Sequence, residues 1–313
     1  MSTVNFQLSI ILVKPMNKTI YALGFFDGVH LGHAVLLAAC RRLAAERGCT
    51  AGAVTFDTHP EALLLMKSPG LINTSYDRER LLRQNNAMQT VVTLPFDEKM
   101  RTMHWEDFLH MLCRDYGAVG FVCGDDFRFG FKGQGNADLL SRYCAENDLP
   151  CTVVPEQILD DVRISSTYIR SQIENGDMAT AVRFLGHPHI LTGTVVPGRQ
   201  LGRKLGFPTA NLHLPKGLAV PKFGVYACSC LVDGLRYPAV TNIGTRPTVE
   251  GHNITVEPWI MDYSGDLYGR EITLEFYYFL RPERKFPTLE DLRAQIRADG
   301  EETRKFLQQS LTI

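Results

Sequence analysis

The stretch GFFDGVHLGH, residues 24–33, places two histidines three positions apart, directly after a hydrophobic run. His30 and His33 have three possible roles: metal ligands, packing residues, or groups that bind phosphate. A zinc site requires further ligands, and no clustered set with a suitable motif accompanies the pair. Residues three apart share one face of a helix, and histidine can donate hydrogen bonds to phosphate oxygens. Taken alone, the pair leaves packing and phosphate binding open.

The turn around the histidines has the features of an anion site. A predicted strand, a glycine-containing turn and a helix start aim backbone N–H groups and the positive end of a helix dipole at an anion. Glycines permit tight turns and a close approach of the backbone. The residues of this turn that we expect to bind phosphate are Gly24, Phe26, Asp27, Gly28 and Gly32.

A second segment, RISSTYIRS at residues 163–171, offers hydroxyls at a predicted helix start and an arginine fork one turn later. Alone it is more typical of a helix cap with a solvated arginine. Together with the histidine turn it resembles the signature of the HIGH-type nucleotidyltransferases, which attack the α-phosphate of a nucleoside triphosphate and expel pyrophosphate. The resemblance implies that His30, His33 and Arg170 are catalytic and that Ser165, Ser166 and Thr167 bind phosphate.

Two further stretches narrow the family. VTFDTHP (54–60) and CGDDFRFGFKGQG (123–135) resemble internal motifs of the FMN adenylyltransferase domain of prokaryotic bifunctional FAD synthetases. This resemblance implies that Asp126 binds a polar group of the nucleotide or flavin, and that Phe127 and Phe129 pack on a ring. The residues alone are equally compatible with a strand end bearing a solvated acidic pair and core phenylalanines.

The second half of the chain carries its own phosphate motif, GRQLGRKLGFPTANL at residues 198–212. It is not a P-loop, but it combines flexible backbone, cations and a hydroxyl in a similar way. Thr209 can ligate Mg²⁺ held by ATP phosphates, Asn211 can orient the same cluster, and Pro208 fixes the backbone before them. We expect ATP to be bound by Gly198, Arg203, Gly206, Pro208, Thr209 and Asn211, with Thr209 and Asn211 at the metal.

The run GRKLGFPTANL resembles the signature of riboflavin kinases. The stretches at 237–249, 266–276 and 279–299 match other parts of that domain in order. The resemblance implies that Glu257 is the base that takes the proton of the ribityl 5′-hydroxyl. Pro258 follows it, where the family usually lacks proline. Because proline donates no ladder hydrogen bond, we expect Glu257 at a sheet edge or irregularity.

The pattern of elements changes once along the chain. Strand-like and helix-like segments alternate from Thr19 to about Gly186, which predicts a parallel sheet. Beyond it, β-rich segments with Gly, Pro and Asp-Gly turns predict a small antiparallel barrel, followed by a helical segment with a break near Gly300. The predicted fold is therefore an α/β, Rossmann-like nucleotidyltransferase domain at residues 1–186 and a β-barrel riboflavin-kinase domain with a C-terminal helix at residues 187–313.

Composition limits the remaining possibilities. The chain has 313 residues and a formal net charge of -1 without a block of like charge, which disfavours binding to duplex nucleic acid. Its apolar runs are too short to span a bilayer, and no basic region precedes the short apolar stretch near the N-terminus. The eight cysteines form no Cys-x-x-Cys pair and are typical of reduced thiols in a cytoplasmic protein.

These observations predict a bifunctional enzyme that converts riboflavin to FMN and FMN to FAD, with ATP as co-substrate and Mg²⁺ as cofactor. Two alternatives stay open. A nucleotidyltransferase acting on a phosphopantetheine, sugar or alcohol phosphate would share His30, His33 and Arg170. A chain with one inactive domain would serve as a flavin sensor. The expected partners are riboflavin, FMN and ATP, with no nucleic acid and no membrane, and the oligomeric state is open.

Overall fold

The computed structural model describes residues 18–59, 70–198, 206–248 and 251–310. Within these ranges the chain forms a five-stranded sheet flanked by helices, then a closed six-stranded barrel, and finally a long helix. The predicted α/β fold followed by a barrel and a C-terminal helix is confirmed.

The N-terminal sheet is parallel throughout, in the order β3-β2-β1-β4-β5. Alternate residues of the central strand β1 point to opposite faces, so Ile20 packs with helix α1 and Tyr21 with α4 and α5. Burial on both faces is what apolar strands such as TIYAL require. The strands are β1 Thr19–Leu23, β2 Thr50–Phe56, β3 Thr90–Leu94, β4 Ala118–Gly124 and β5 Cys151–Val154.

The helices of this half begin and end at the residue types that physical chemistry favours. Ser165 and Asp177 cap α6 and α7 with their side chains, and both helices end at glycines with positive φ, Gly176 and Gly186. Asp177 and Gly186 thus delimit α7. The helices are α1 Leu31–Glu46, α2 Ser75–Gln84, α3 Glu98–Thr102, α4 Trp105–Tyr116, α5 Ala137–Glu146, α6 Ser166–Asn175 and α7 Met178–Leu185. A small hairpin, β6 Ile158–Leu159 and β7 Val162–Arg163, precedes α6.

The C-terminal half is an antiparallel barrel, closed in the order β10-β11-β12-β9-β8-β13. Asp233 and Gly234, with φ of 50° and 79°, form the two-residue turn between β10 and β11, in agreement with the Asp-Gly turns predicted in this half. The strands are β8 His189–Val196, β9 Asn211–His213, β10 Gly224–Val232, β11 Leu235–Thr248, β12 Gly251–Ile260 and β13 Glu271–Arg281.

The C-terminal helix differs from its prediction. Helix α8 runs without interruption over Leu289–Ser310, so the predicted break near Gly300 is wrong. A Cβ at Gly300 would lie 2.8 Å from the indole ring of Trp259. The glycine therefore marks a close approach between α8 and the barrel, and this packing offsets the roughly 1 kcal/mol that glycine costs inside a helix.

The two halves share buried contacts. Leu71 N donates to Gly217 O and Ala219 N donates to Leu71 O, both at 2.8 Å, which pairs the chain before α2 with the loop before β10. Helices α6 and α7 also contribute residues to the core cluster of the barrel. The division into domains at residues 1–186 and 187–313 stays a prediction.

Candidate active sites

The histidine turn lies where β1 leads into α1, beside β4. The strand order reverses between these two strands, and such points form ligand crevices at the carboxyl ends of parallel strands. His30 is the N-cap of α1, and its Nδ1 accepts a hydrogen bond from His33 N at 3.3 Å. The two imidazoles stack with centroids 3.6 Å apart. Gly32 makes this possible, because a Cβ there would lie 3.2 Å from the His30 ring.

Burial keeps both histidines neutral. Removal from water lowers the pKa of His30 to about 4 and holds the pKa of His33 well below its usual value, and the neighbouring His30 and Arg78 lower the latter further. The Nδ1 atom of His33 is buried and has no hydrogen-bond partner among the described residues. Two neutral imidazoles at a helix start can bind phosphate through N–H groups without repelling each other.

A cavity of about 460 Å³ opens beside the pair. It brings together the two histidines, Gly32 and the start of α6, although these segments are more than 130 positions apart. Ser165 uses its hydroxyl to cap α6 at Tyr168 N, and Ser166 donates to Asp27 O at 2.8 Å. The lining residues are His30, Gly32, His33, Leu36, Gly124, Asp125, Asp126, Val154, Pro155, Glu156, Gln157, Arg163, Ile164, Ser165, Ser166 and Thr167.

Asp27 and Arg170 form a brace behind this cavity and do not line it. The Asp27 carboxylate accepts from Ile72 N at 2.9 Å and from Asn73 N at 3.3 Å, and it pairs with Arg170 Nη2 at 3.0 Å. Arg170 Nε also donates to Gly70 O at 2.6 Å. The brace fixes the turn at Gly28, whose φ is 79°. The phosphate-contacting roles of Asp27 and Arg170 stay predictions.

The remaining predicted residues of this half separate into two groups. Asp126 lines the cavity and pairs with Arg163, which also contacts Glu156 at 2.8 Å. Phe127 and Phe129 stack on each other at 5.4 Å and pack in the core around α4, and Phe26 presents its ring edge to His33. A flavin-packing role for the phenylalanines stays a prediction. Gly24 likewise lies outside the lining.

A second cavity, of about 680 Å³, lies between the barrel and α8. It brings Thr209 and Glu257 together, because Thr209 forms a β-bridge with Trp259, two residues after Glu257. The lining residues are Phe207, Thr209, Val225, Val240, Asn242, Glu257, Trp259, Arg281, Glu283, Arg284, Lys285, Phe286, Pro287, Thr288, Leu289, Leu292, Ile296 and Asp299.

Pro258, next to Glu257, lies within a barrel strand. It pairs with Thr241 in the ladder between β12 and β11, which shows no register shift at this point. On the other side of β12, Ala210 N donates to Pro258 O at 2.9 Å. The barrel is closed, so the described part of β12 has no free edge here. The sheet edge or irregularity expected at Glu257 is therefore not found.

The other described residues that we predicted to bind ATP are not lining residues of this cavity. Asn211 begins β9, and Gly198 packs directly on its side-chain amide, where a Cβ at residue 198 would overlap the amide nitrogen. Gly206 has a φ of 85° and precedes the exposed Pro208. Arg203 lies outside the described residues. Thr209 and Glu257 supply hard oxygen donors of the kind Mg²⁺ accepts. No group of three or more His, Cys, Asp or Glu side chains suited to a metal occurs in the described ranges.

In comparisons with known proteins, each half of the chain matches the family model of a different enzyme. Residues 13–168 match the FAD synthetase family model, and residues 185–307 match the riboflavin kinase model. A bifunctional riboflavin kinase/FMN adenylyltransferase of Listeria monocytogenes is 34% identical over 93% of this chain and 93% of its own. The chain belongs to this bifunctional family. Relatives with the same description in Bacillus subtilis and Escherichia coli are 33% and 35% identical, over 95% and 93% of this chain and 95% and 94% of their own.

A solved structure shares the arrangement of both halves. A Streptococcus pneumoniae crystal structure, described as a macrolide-efflux protein, superposes with a TM-score of 0.83 at 29% identity, over 93% of this chain and 95% of its own. In the described part of this bifunctional family member, no helix is long and apolar enough to cross a membrane.

Sequence reasoning missed part of the first cavity. Arg163, Asp125, Glu156 and Gln157 line it, yet they were not among the predicted site residues. Arg163 was within reach, because it is the first residue of the RISSTYIRS segment. The other three follow the carboxyl ends of β4 and β5, so a stricter use of strand-end position would have found them.

Proposed function

We propose that the chain carries out two consecutive steps of flavin cofactor synthesis. The barrel transfers the γ-phosphoryl group of ATP to riboflavin, giving FMN and ADP. The α/β half transfers the adenylyl group of a second ATP to FMN, giving FAD and pyrophosphate. The observation that carries the proposal is that two separate cavities are each lined by residues of one family motif.

In the kinase step, Glu257 takes the proton of the riboflavin 5′-hydroxyl as this oxygen attacks the γ-phosphorus of ATP. The new O–P bond forms as the bond to ADP breaks. Thr209 forms a bridge with Trp259, two residues after Glu257, and both Thr209 and Glu257 line the cavity. This supports the proposal that the acceptor and the phosphates meet there. Thr209 and Asn211 would hold Mg²⁺, which supplies positive charge to the phosphate oxygens.

In the adenylyl step, a phosphate oxygen of FMN attacks the α-phosphorus of ATP, and pyrophosphate leaves. No side chain has to form a covalent bond, so the enzyme acts by alignment and charge stabilisation. His30 and His33 donate hydrogen bonds to phosphate oxygens as neutral imidazoles. Ser166 and Thr167, in the first turn of α6, line the same cavity, so the positive end of this helix dipole supports anion binding there.

The proposed reactions indicate the partners of the protein, and its thiols indicate its location. The proposed partners are riboflavin, FMN and ATP, and the near-zero net charge offers little attraction for a nucleic acid. All eight cysteines carry free thiols, which suits a reducing, cytoplasmic location with a supply of ATP.

The test is direct. Purified protein is incubated with riboflavin, ATP and Mg²⁺, and the flavins are separated by chromatography. We expect FMN to appear first and FAD to follow. Unchanged riboflavin, together with unchanged FMN when FMN is supplied, would refute both activities.

Two variants separate the sites. His33→Ala should stop FAD formation and leave FMN formation intact. Glu257→Gln should stop FMN formation from riboflavin, yet still produce FAD when FMN is supplied. Loss of both activities in either folded variant would contradict the assignment of one reaction to each cavity.

A further inference from the structure

Trp259 is one of two tryptophans in the chain, and it lies two residues after Glu257 in β12. Residues two apart in a strand share a face, and both side chains line the cavity of the barrel. The indole is therefore next to the proposed base and on its side of the sheet.

Helix α8 contacts one side of the indole. At Gly300 an ideal Cβ would lie 2.8 Å from Cζ3 and 3.1 Å from Cη2 of Trp259. Any larger residue at this position must push the ring or the helix away.

The adjoining residue anchors the same turn of α8. Asp299 is buried and forms a two-bond ion pair with Arg281 of β13, at 2.7 Å and 3.0 Å. Its carbonyl also accepts from Thr303 Oγ1 at 2.8 Å, within the helix. Because the helix is fixed here, it acts as a rigid support for the indole.

The segment that carries the phosphate motif contacts the indole as well. Phe207 meets Trp259 edge to face, with ring centroids 4.8 Å apart, and Thr209 pairs with the Trp259 backbone. The indole thus contacts both α8 and the segment of residues 207–209, which carries part of the phosphate motif.

The backbone joins the two segments at a few points around Trp259. Thr209 forms a bridge with Trp259, and Ala210 N donates to Pro258 O at 2.9 Å. Pro258 has no N–H to add a further bond. Side-chain packing around residue 259 therefore contributes to the distance between Thr209 and Glu257.

We propose that Trp259 is a positioning residue of the kinase site, and that its packing between Phe207 and Gly300 sets the distance between Thr209 and Glu257. Helix α8 then acts on phosphoryl transfer through the indole, without contacting a phosphate. This inference rests on the proposed kinase function of the barrel.

The test is a size exchange. Gly300→Ala adds one methyl group against the indole while raising helix propensity, so lost activity cannot be attributed to a weaker helix. We expect kcat for FMN formation to fall roughly tenfold, as for a small misplacement of reacting groups, with little change in the KM for riboflavin. FAD formation from supplied FMN should be unchanged, which reports that the chain is folded.

Trp259→Phe provides the rescue. A phenyl ring lacks the outer indole atoms that would meet the new methyl group, so Trp259→Phe/Gly300→Ala should recover to within about twofold of Trp259→Phe alone. The control Glu301→Ala, at an exposed neighbouring position of α8, should match the wild type.

Several results would overturn the inference. Full activity of Gly300→Ala would show that the contact does not matter. A raised KM for riboflavin at constant kcat would make Trp259 a wall of the acceptor site. Equal loss of both activities, or no rescue in the double variant, would make the contact one of folding alone. If the wild-type protein forms no FMN, the kinase function itself fails, which is a distinguishable result.

Discussion

At the scale of single residues, the titration of histidine decides how the first site can work. The sequence predicts that His30 and His33 bind phosphate, because glycines and a second hydroxyl segment accompany them. It does not reveal that burial lowers the pKa of His30 to about 4. Burial depends on which helices and strands cover the pair, so this property follows only from the fold.

A third buried histidine, His189, makes the stability of the protein depend on pH. His189 at the start of β8 is fully buried, its ring nitrogens have no hydrogen-bond partner among the described residues, and burial lowers its pKa to about 3. Above pH 7 both folded and unfolded chains keep it neutral. Below about pH 6.5 the unfolded chain binds a proton that the folded chain does not. The free energy of unfolding therefore falls with decreasing pH, by up to about 1.4 kcal/mol per pH unit for each such histidine, until the folded pKa is reached.

The measurement is urea unfolding between pH 7 and pH 4.5. His189→Leu places an apolar side chain in the site and removes the titrating group. The free energy of unfolding should therefore depend less steeply on pH, by about the contribution of one histidine. His104→Leu, at an exposed position before α4, should keep the wild-type slope. An unchanged slope in His189→Leu would contradict the prediction.

At the scale of elements, local patterns predicted most helices and strands, and tertiary contacts explain the failures. Asp177 and Gly186 delimit α7 through their own caps, so sequence suffices there. Gly300 was interpreted as a break because glycine is a poor helix former, but its neighbour is Trp259, 41 positions away. The lining residues after β4 and β5 were missed for a similar reason, because the sheet order brings those strand ends together.

The ion pair between Asp27 and Arg170 links the histidine turn to α6, and we expect its loss to lower both stability and FAD formation. The Asp27 and Arg170 side chains are 2% and 12% exposed, so Asp27→Ala leaves a mostly buried cation without its partner. We expect a loss of roughly 3–5 kcal/mol in the free energy of unfolding and a large fall in FAD formation, since Ile72 and Asn73 lose the carboxylate that holds their N–H groups.

Urea unfolding and the two flavin assays measure these effects. Arg114→Ala is the matched control, because the Arg114 and Asp115 side chains are 76% and 43% exposed, so water screens their ion pair and it should contribute little to stability. If Asp27→Ala cost no more than this control, the brace would not stabilise the turn.

At the scale of the whole molecule, the sequence predicted two folds but not the way they join. Asp77 in α2 accepts from Thr192 of β8 at 2.6 Å, and Thr192 also contacts Thr273 of β13 at 2.8 Å. Arg80 donates to Thr273 at 2.9 Å. These polar groups lie more than 100 positions apart across the halves, and no local pattern identifies such partners. The same helix begins next to Asn73, which binds Asp27, so the barrel supports the first site indirectly.

Thr192→Val tests this junction in the full chain. Valine keeps the shape of threonine but cannot donate to the buried Asp77 carboxylate, so the free energy of unfolding should fall by about 1.5–3 kcal/mol. If the halves unfold as one unit, FMN and FAD formation will be lost at the same urea concentration in the wild type and at the same lower concentration in the variant. Thr194→Val, exposed in the same strand, should leave both midpoints in place. A variant in which only FMN formation became more sensitive to urea would instead show that the α/β half is stable without the junction.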